Sequence, residues 1–282
     1  MLVLTRIPPI RARREELART GKRVAFVPTM GALHEGHLAL VRHGHDLADE
    51  VWASVFVNPG QFGPSEDFAS YPRDLERDCA LLEREGTTLL FAPSTREIYP
   101  RPPATVVDLP ELTAGLCGPH RPGHFRGVAL VVAKLLNIVQ PHVAVFGAKD
   151  WQQAVVIRRM VEDLDMPVHI DVHPTVREED ALARSSRNAY LSPEERLTAT
   201  VLSHALGAAA HALRGGERRG SALELILANE VARAPGVRLQ YAAAVDPATL
   251  QPVVTAEGPI LFALAAHVGS TRLIDNLLVE GS

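Results

Sequence analysis

The stretch Val24-Ala25-Phe26-Val27-Pro28-Thr29-Met30-Gly31-Ala32-Leu33-His34-Glu35-Gly36-His37 decides the fold. Val24–Pro28 is a continuous apolar run rather than an alternating one, as expected of a strand buried on both faces of a parallel sheet. From Gly36 to Ala48 the apolar residues return at helical spacing. Outward from this unit the rhythm repeats. Strand-like runs stand at Val51–Asn58, Thr88–Pro93, Val143–Gly147 and Val168–Pro174, and helical patterns at Asp74–Glu85, Val128–Val139 and Trp151–Leu164. Strand, helix, strand in repetition predicts an α/β protein with a Rossmann-like, doubly wound parallel sheet. Ligands of such sheets lie outside the carboxyl ends of the strands.

Two stretches break the rhythm: Asn58–Arg73 and Ser94–Arg126, rich in Gly, Pro and polar residues, read as long functional loops. Beyond about Val176 the composition changes. One helical pattern, Pro193–Leu213, opens with Ser192 as N-cap and Pro193 at its first position; a second covers Ser221–Ala234. Strand-like runs follow at Leu239–Val245 and Ile260–Ala266. The expected division is a nucleotide-binding domain over 1–175 and a smaller α+β domain over 176–282.

The 282 residues carry 29 Lys+Arg against 33 Asp+Glu, a formal charge of −4, with 46% hydrophobic and 22% charged residues. That balance excludes a disordered or collagen-like chain. Without a basic block it also argues against a dedicated nucleic-acid binder. Cys79 and Cys117 are far apart, so neither a disulfide framework nor a thiolate zinc site is expected. No apolar run reaches the roughly 18–20 residues of a membrane span. The N-terminal order of charge and hydrophobicity is wrong for a secretory signal, so a cytoplasmic protein is expected.

Gly31 and Gly36 permit a tight backbone between strand and helix, and free amides at a helix start suit a phosphate. His34 and His37, three residues apart, can then face the same phosphates, because imidazole donates hydrogen bonds to phosphoryl oxygens. A capping loop whose histidines bond only backbone is an open alternative. Zinc is a further one, although no carboxylate or thiolate partner stands at a standard spacing. Phe146-Gly147-Ala148-Lys149-Asp150 ends a strand and begins a helix, with Lys149 as a compact cation or simply a solvated lysine. Ser185-Ser186-Arg187 places two hydroxyls and a guanidinium in one short segment before a capped helix, which is also the composition of an ordinary turn.

His34-x-Gly36-His37 after a strand resembles the HxGH signature of the nucleotidyltransferase superfamily. Further ordered motifs narrow the resemblance: Val57-Asn58-Pro59-x-Gln61-Phe62, Glu66-Asp67-Phe68, Tyr71-Pro72-Arg73, Arg121-Pro122-Gly123-His124-Phe125-x-Gly127-Val128, Phe146-Gly147-x-Lys149-Asp150-x-Gln152-Gln153, Val176-Arg177-Glu178 and Ser185-Ser186-Arg187-Asn188-x-Tyr190-Leu191-Ser192. Together they resemble the pantoate–β-alanine ligase family, from about Thr29 to Ser192 and more weakly beyond.

The resemblance implies an AMP-forming ligase acting on ATP, pantoate and β-alanine. His34, His37, Lys149 and Arg187 are then the catalytic set. Met30, Gly31, Ala32, Leu33, His34, Glu35, Gly36, His37, Gly147, Ala148, Lys149, Asp150, Val176, Arg184, Ser185, Ser186 and Arg187 meet ATP, the last three on a counterpart of the mobile KMSKS loop. Gln61 and Gln153 hold pantoate, and Gln61 also approaches β-alanine. Mg2+ must accompany ATP to neutralise the departing pyrophosphate, and Asp78, in the stretch after Tyr71-Pro72-Arg73, is the candidate metal contact. A homodimer through the N-terminal domain is implied, with no nucleic-acid or membrane partner. The sequence departs from the family pattern at Arg77, His142 and Glu179-Asp180-Ala181. A nucleotidyltransferase joining AMP to a phosphate ester shares the HxGH and Ser-Ser-Arg features, but its acceptor pocket would favour basic residues over the two glutamines.

Overall fold

The structure, a computed structural model, describes residues 1–64 and 66–280. Position 65, inside the expected loop 58–73, and positions 281–282, at the end of the expected second domain, lie outside the described residues. In chain order the elements are β1 (Leu2–Leu4), α1 (Ile7–Arg19), β2 (Val24–Thr29), α2 (Glu35–Leu47), β3 (Glu50–Val55), α3 (Leu75–Arg84), β4 (Leu89–Phe91), α4 (Thr95–Ile98), α5 (Pro110–Thr113), α6 (His124–Val139), β5 (Val143–Gly147), α7 (Trp151–Asp163) and β6 (His169–His173). Then follow α8 (Pro193–Ala199), α9 (Val201–Arg214), α10 (Gly220–Ala232), β7 (Val237–Val245), β8 (Ile260–Val268) and β9 (Thr271–Val279). Short 3₁₀ turns occur at Pro59–Gln61, Gly118–His120, Ala148–Asp150 and Ser186–Tyr190.

Internal contacts divide the chain into two units. The first comprises Met1–Pro110, Arg121–Ala148 and Val156–Pro174; the second comprises Glu111–His120, Lys149–Val155 and the chain from Thr175 onward. In the first, six parallel strands run in the order β1-β4-β3-β2-β5-β6. From β2 the chain steps outward through β3 and β4, then returns to the other side of β2 with β5 and β6. The reversal falls between β2 and β5, where Ala25 pairs Val143 and Phe26 pairs Ala144. The segments leaving Thr29 and Gly147 therefore stand at the topological switch point. Ala25 and Val27 pack with Leu40 and Val41 of α2 on one face, while the intervening Phe26 is fully buried too. Burial on both faces is why the strand reads as a continuous apolar run.

The second unit carries an antiparallel sheet, β7-β8-β9. Leu202, Leu206 and Leu213 of α9 and Leu223 and Leu227 of α10 share a core with Phe262 and Leu264 of β8. Leu261 and Ala263 face a second cluster with Val155, Val245 and Leu250.

The expected helix Pro193–Leu213 is two helices. The hydroxyls of Thr198 and Thr200 donate back to the carbonyls of Glu194 (2.9 Å) and Leu197 (2.7 Å), and α8 ends there. Its start is as read: Ser192 accepts from Glu195 N, and Glu195 returns a bond to Ser192 N. The loop Ser94–Arg126 contains α4, α5 and the first residues of α6, which begins at His124 rather than Val128.

Candidate active site

The turn after β2 is built from side chains that satisfy backbone. Thr29 Oγ1 donates to the Ser54 carbonyl (2.7 Å) and accepts from Gly31 N (3.2 Å). Gly31 (φ +82°) and Ala32 (φ +50°) are both left-handed, and a Cβ at Gly31 would lie 2.9 Å from Asp78 Oδ2, so only glycine fits. Asp78, at the start of α3 and 1% exposed, accepts from Ala32 N (3.0 Å) through one oxygen and Leu33 N (2.8 Å) through the other. Arg77 donates to the Leu33 carbonyl (3.2 Å), so α3 grips that residue from both sides.

Asp78, the expected metal contact, is engaged by the loop itself. Both of its oxygens serve buried loop amides, and burial pushes its carboxyl above the usual range, with those two bonds only partly offsetting it. Among the described residues no group of three or more His, Cys, Asp and Glu side chains is arranged to hold a metal ion.

His34 is the N-cap of α2. Its Nδ1 accepts from Gly36 N (3.1 Å), and His37 Nδ1 accepts from His34 N (3.4 Å). The two rings lie 4.1 Å apart between centroids. A nitrogen that accepts an N–H carries no proton of its own, so each neutral ring holds its proton on Nε2. The histidines are therefore capping residues, and the capping fixes which nitrogen donates onward. They stand at a helix N-terminus, where partial positive charge favours an anion. Glu35 pairs with Arg42, which also reaches Glu85 (2.9 Å).

In the same unit, Gln61 ends the 3₁₀ turn that Asn58 caps, and it is 8% exposed. Asn58 Nδ2 donates to Gln61 Oε1 and to the Gly127 carbonyl (3.1 Å each), while its Oδ1 accepts from Gly60 N (3.2 Å) and Tyr99 OH (3.0 Å). Burial pushes the Tyr99 hydroxyl up to about 12, so it stays protonated well above neutral pH. Gln61 Nε2 donates to Met30 Sδ (2.9 Å), joining two predicted site residues. The Gln61 carbonyl accepts from His124 Nδ1 (2.8 Å); His124 Nε2 meets Arg121 (2.9 Å), and Arg121 grips Glu66 bidentately (2.6 and 2.7 Å). Burial raises the Glu66 carboxyl, but hydrogen bonds from Arg121 and its charge outweigh that and hold it below the usual glutamate range. Asn58 stands in a sequence motif that gave it no role of its own. Its place before Pro59-Gly60, typical of a capping residue, was the available signal. Gly147, at the end of β5, pairs with His173, and Ala148 follows it.

In the second unit, the Lys149 carbonyl accepts from Asn276 Nδ2 (2.7 Å), and Lys149 Nζ lies 3.9 Å from Asp150. Gln152 is buried and serves structure, accepting from Cys117 N and donating to the Leu112 and Gly115 carbonyls (3.0 Å each). Gln153, its neighbour on α7, is half-buried. The Val176 carbonyl accepts from Arg184 N (2.9 Å), closing a turn in which Ala181 has φ +65°, and Arg184 pairs with Glu178 (2.7 Å). Ser185 caps the turn Ser186–Tyr190, its Oγ accepting from Arg187 N (3.2 Å). The first unit thus gathers Met30–His37 and Gln61. The second gathers Lys149–Gln153 and Val176–Arg187, and Asp78 lies beneath the first group as a clamp.

The chain is 53% identical over 280 residues to the pantothenate synthetase of Heliobacterium modesticaldum, covering 99% of this chain and all of that one. A crystal structure of pantothenate synthetase from Thermus thermophilus superposes with a TM-score of 0.92 at 48% identity, over 98% of this chain and 99% of that chain. A pantoate-beta-alanine ligase from Francisella tularensis, complexed with beta-gamma ATP and beta-alanine, superposes with a TM-score of 0.79 at 32% identity, over 99% and 97%. The family model for pantoate-beta-alanine ligase matches residues 2–278, and the chain belongs to that family.

Proposed function

We propose that the chain condenses (R)-pantoate with β-alanine at the expense of ATP, giving pantothenate, AMP and pyrophosphate through a pantoyl adenylate. In the first step a pantoate carboxylate oxygen bonds to the α-phosphorus, and the bond to the bridging oxygen breaks as pyrophosphate leaves. In the second, the β-alanine amine attacks the acyl carbon, AMP leaves with the bridging oxygen, and the amine releases a proton to water. Neither step needs a covalent bond to the protein, so its work is positioning and stabilisation of phosphoryl charge.

The observation that carries this reading is the pair of imidazoles at the α2 N-terminus, whose Nδ1 atoms accept backbone N–H groups so that both Nε2 atoms are donors. We assign His34, His37, Lys149 and Arg187 to the phosphates, with Ser185 and Ser186. Backbone of Met30–His37, Gly147–Asp150, Val176 and Arg184 holds the rest of ATP. Gln61 and Gln153 hold pantoate, whose hydroxyls call for amides that both donate and accept, and Gln61 also meets β-alanine. We assign 1–175 to nucleotide and pantoate and 176–282 to the closing loop. Mg2+ arrives with ATP to offset triphosphate charge, and no side chain is assigned to it. A cytoplasmic homodimer through the N-terminal region completes the reading; a monomer mass by light scattering at micromolar concentration would contradict it.

Rapid quench with labelled ATP tests the mechanism. ATP and pantoate alone should release close to one equivalent of pyrophosphate per site, and β-alanine should then yield pantothenate and AMP in a single turnover. A strict requirement for β-alanine before any pyrophosphate appears refutes the adenylate.

A further inference from the structure

Strand β9 carries two adjacent polar side chains in the interior of the second unit, Asp275 (2% exposed) and Asn276 (7%), near the buried apolar Leu273 and Val279. Arg177 grips Asp275 bidentately, Nη1 to Oδ2 at 2.7 Å and Nη2 to Oδ1 at 3.0 Å. The same guanidinium donates to the Ala181 carbonyl (3.0 Å), in the turn that leads to Arg184, and to the Asn276 carbonyl (3.2 Å). Asp275 Oδ1 also accepts from Asn276 N (2.8 Å), and the Asn276 amide donates to the Lys149 carbonyl (2.7 Å). Neighbouring positions of one strand thereby hold the root of the 176–187 loop and the peptide of Lys149.

A buried ion pair is a poor source of stability, since desolvation offsets most of its attraction, and a well-packed apolar pair does as well or better. Its distinctive property is geometry: a planar fork and an amide each admit a narrow range of partners. Lys149 lies in a 3₁₀ turn, whose own hydrogen bonds are less well aligned than those of an α-helix. The carbonyl bond from Asn276 fixes the Lys149–Asp150 peptide plane, and with it the direction from which the Lys149 side chain departs.

We infer that Asn276 is a positioning residue for Lys149, and that the Arg177–Asp275 pair makes β9 the common mount of Lys149 and the Arg184–Arg187 loop. The inference rests on the proposed assignment of Lys149 to the ATP phosphates. It predicts that Asn276→Ala slows pyrophosphate release from ATP and pantoate by about tenfold and raises the KM for ATP, the scale of a displacement of well under 1 Å. The β-alanine step from preformed adenylate should stay within about twofold, because its leaving group is AMP and the pyrophosphate has gone. Arg177→Lys, which keeps the charge and loses the fork, should show the same split.

The deciding experiment is a double-mutant cycle with Lys149→Ala, read by single-turnover pyrophosphate release and with melting curves for every variant. Asn276→Ala should add less than about twofold once Lys149 is gone. Should Asn276→Ala not fold, Asn276→Ser enters the same cycle. A folded Asn276 variant with normal kinetics and only a lowered melting temperature overturns the inference, as do effects that multiply in the double mutant. If Lys149→Ala itself releases pyrophosphate normally, the assignment of Lys149 fails, and the positioning role falls with it. A defect in Lys149→Ala without one in Asn276→Ala removes the positioning role alone.

Discussion

Gly127→Ala should damage pantoate use far more than it damages the fold. A Cβ at Gly127 would lie 1.9 Å from the Gly60 carbonyl oxygen and 2.7 Å from Gln61 N. An ordinary carbon–oxygen approach is about 3.3 Å, so one backbone must retreat by about 1.4 Å. Buried side chains hold α6 along most of its length, so the short Pro59–Gln61 turn, where Gly60 is exposed, is the part that gives. Its retreat stretches the Asn58–Gly127 bond, now 3.1 Å, and carries Gln61 with it. A misplacement of about 1 Å costs about 10²-fold in rate, or about 2.7 kcal/mol of transition-state stabilisation. Stability suffers less, because overpacking of about 1–3 kcal/mol is partly offset by the roughly 1 kcal/mol by which alanine is the better helix former. Pyrophosphate release at saturating ATP, with pantoate varied, measures the loss, and circular dichroism confirms folding. An unchanged KM for pantoate in the folded variant would refute the reasoning.

Gly207 of α9 provides the contrast: it is exposed and an added Cβ would meet nothing within 4 Å, so Gly207→Ala should raise stability by about 1 kcal/mol and leave activity alone. A lowered melting temperature would show that the position is not open. His37→Ala should slow adenylate formation by about 10²-fold or more, the loss typical of one preorganised donor; near-normal turnover in the folded variant would remove its phosphate role. Glu66→Gln should cost about 2 kcal/mol at neutral pH, since both partners of the Arg121 pair keep some solvent contact. Because the folded carboxyl sits below its ordinary 4.5, that stabilisation is complete above 4.5 and fades as pH falls through the lower folded value. The melting difference between wild type and Glu66→Gln should therefore shrink below that pH, and a difference that grows on acidification would contradict the sign.

Of the strands read from apolar runs in the first unit, β2, β3, β4 and β5 are interior to the sheet, legible because burial on both faces leaves few polar interruptions, whereas β6 is an edge strand. What the sequence concealed was concealed for local reasons. β1 is a three-residue edge strand with Leu2 and Val3 exposed, too short to show a period. The prolines of α1 stand in its first turn, where a missing N–H is harmless, although proline ordinarily reads as a breaker. In β9 the pair Asp275-Asn276 has the composition of a turn, and only the Arg177 and Lys149 partners explain why it lies inside a strand.

The same distinction governs the site. Residues that meet ligand in the proposed reading sit in short motifs: His34 and His37 are legible from local spacing, Gln61 only through the family resemblance. Asp78, His124 and Asn276 instead satisfy backbone groups of those motifs from elsewhere, Asn276 from 127 residues away along the chain. Nothing in local spacing announces such a partner, because the constraint is a carbonyl or an N–H, which every residue type supplies. Asp78 stands in a run of acids, and its surroundings ask for two acceptor atoms at a fixed separation. Shape-preserving changes that exchange donor for acceptor should therefore separate the two classes of residue better than alanine does. Asp78→Asn keeps volume and turns an NH2 toward one of two buried loop amides, leaving that amide unpaired at about 1–3 kcal/mol. If Asp78 instead acted through a bound cation, the same change would alter the Mg2+ dependence of turnover and leave the melting temperature nearly untouched, so the two measurements together distinguish a clamp from a ligand.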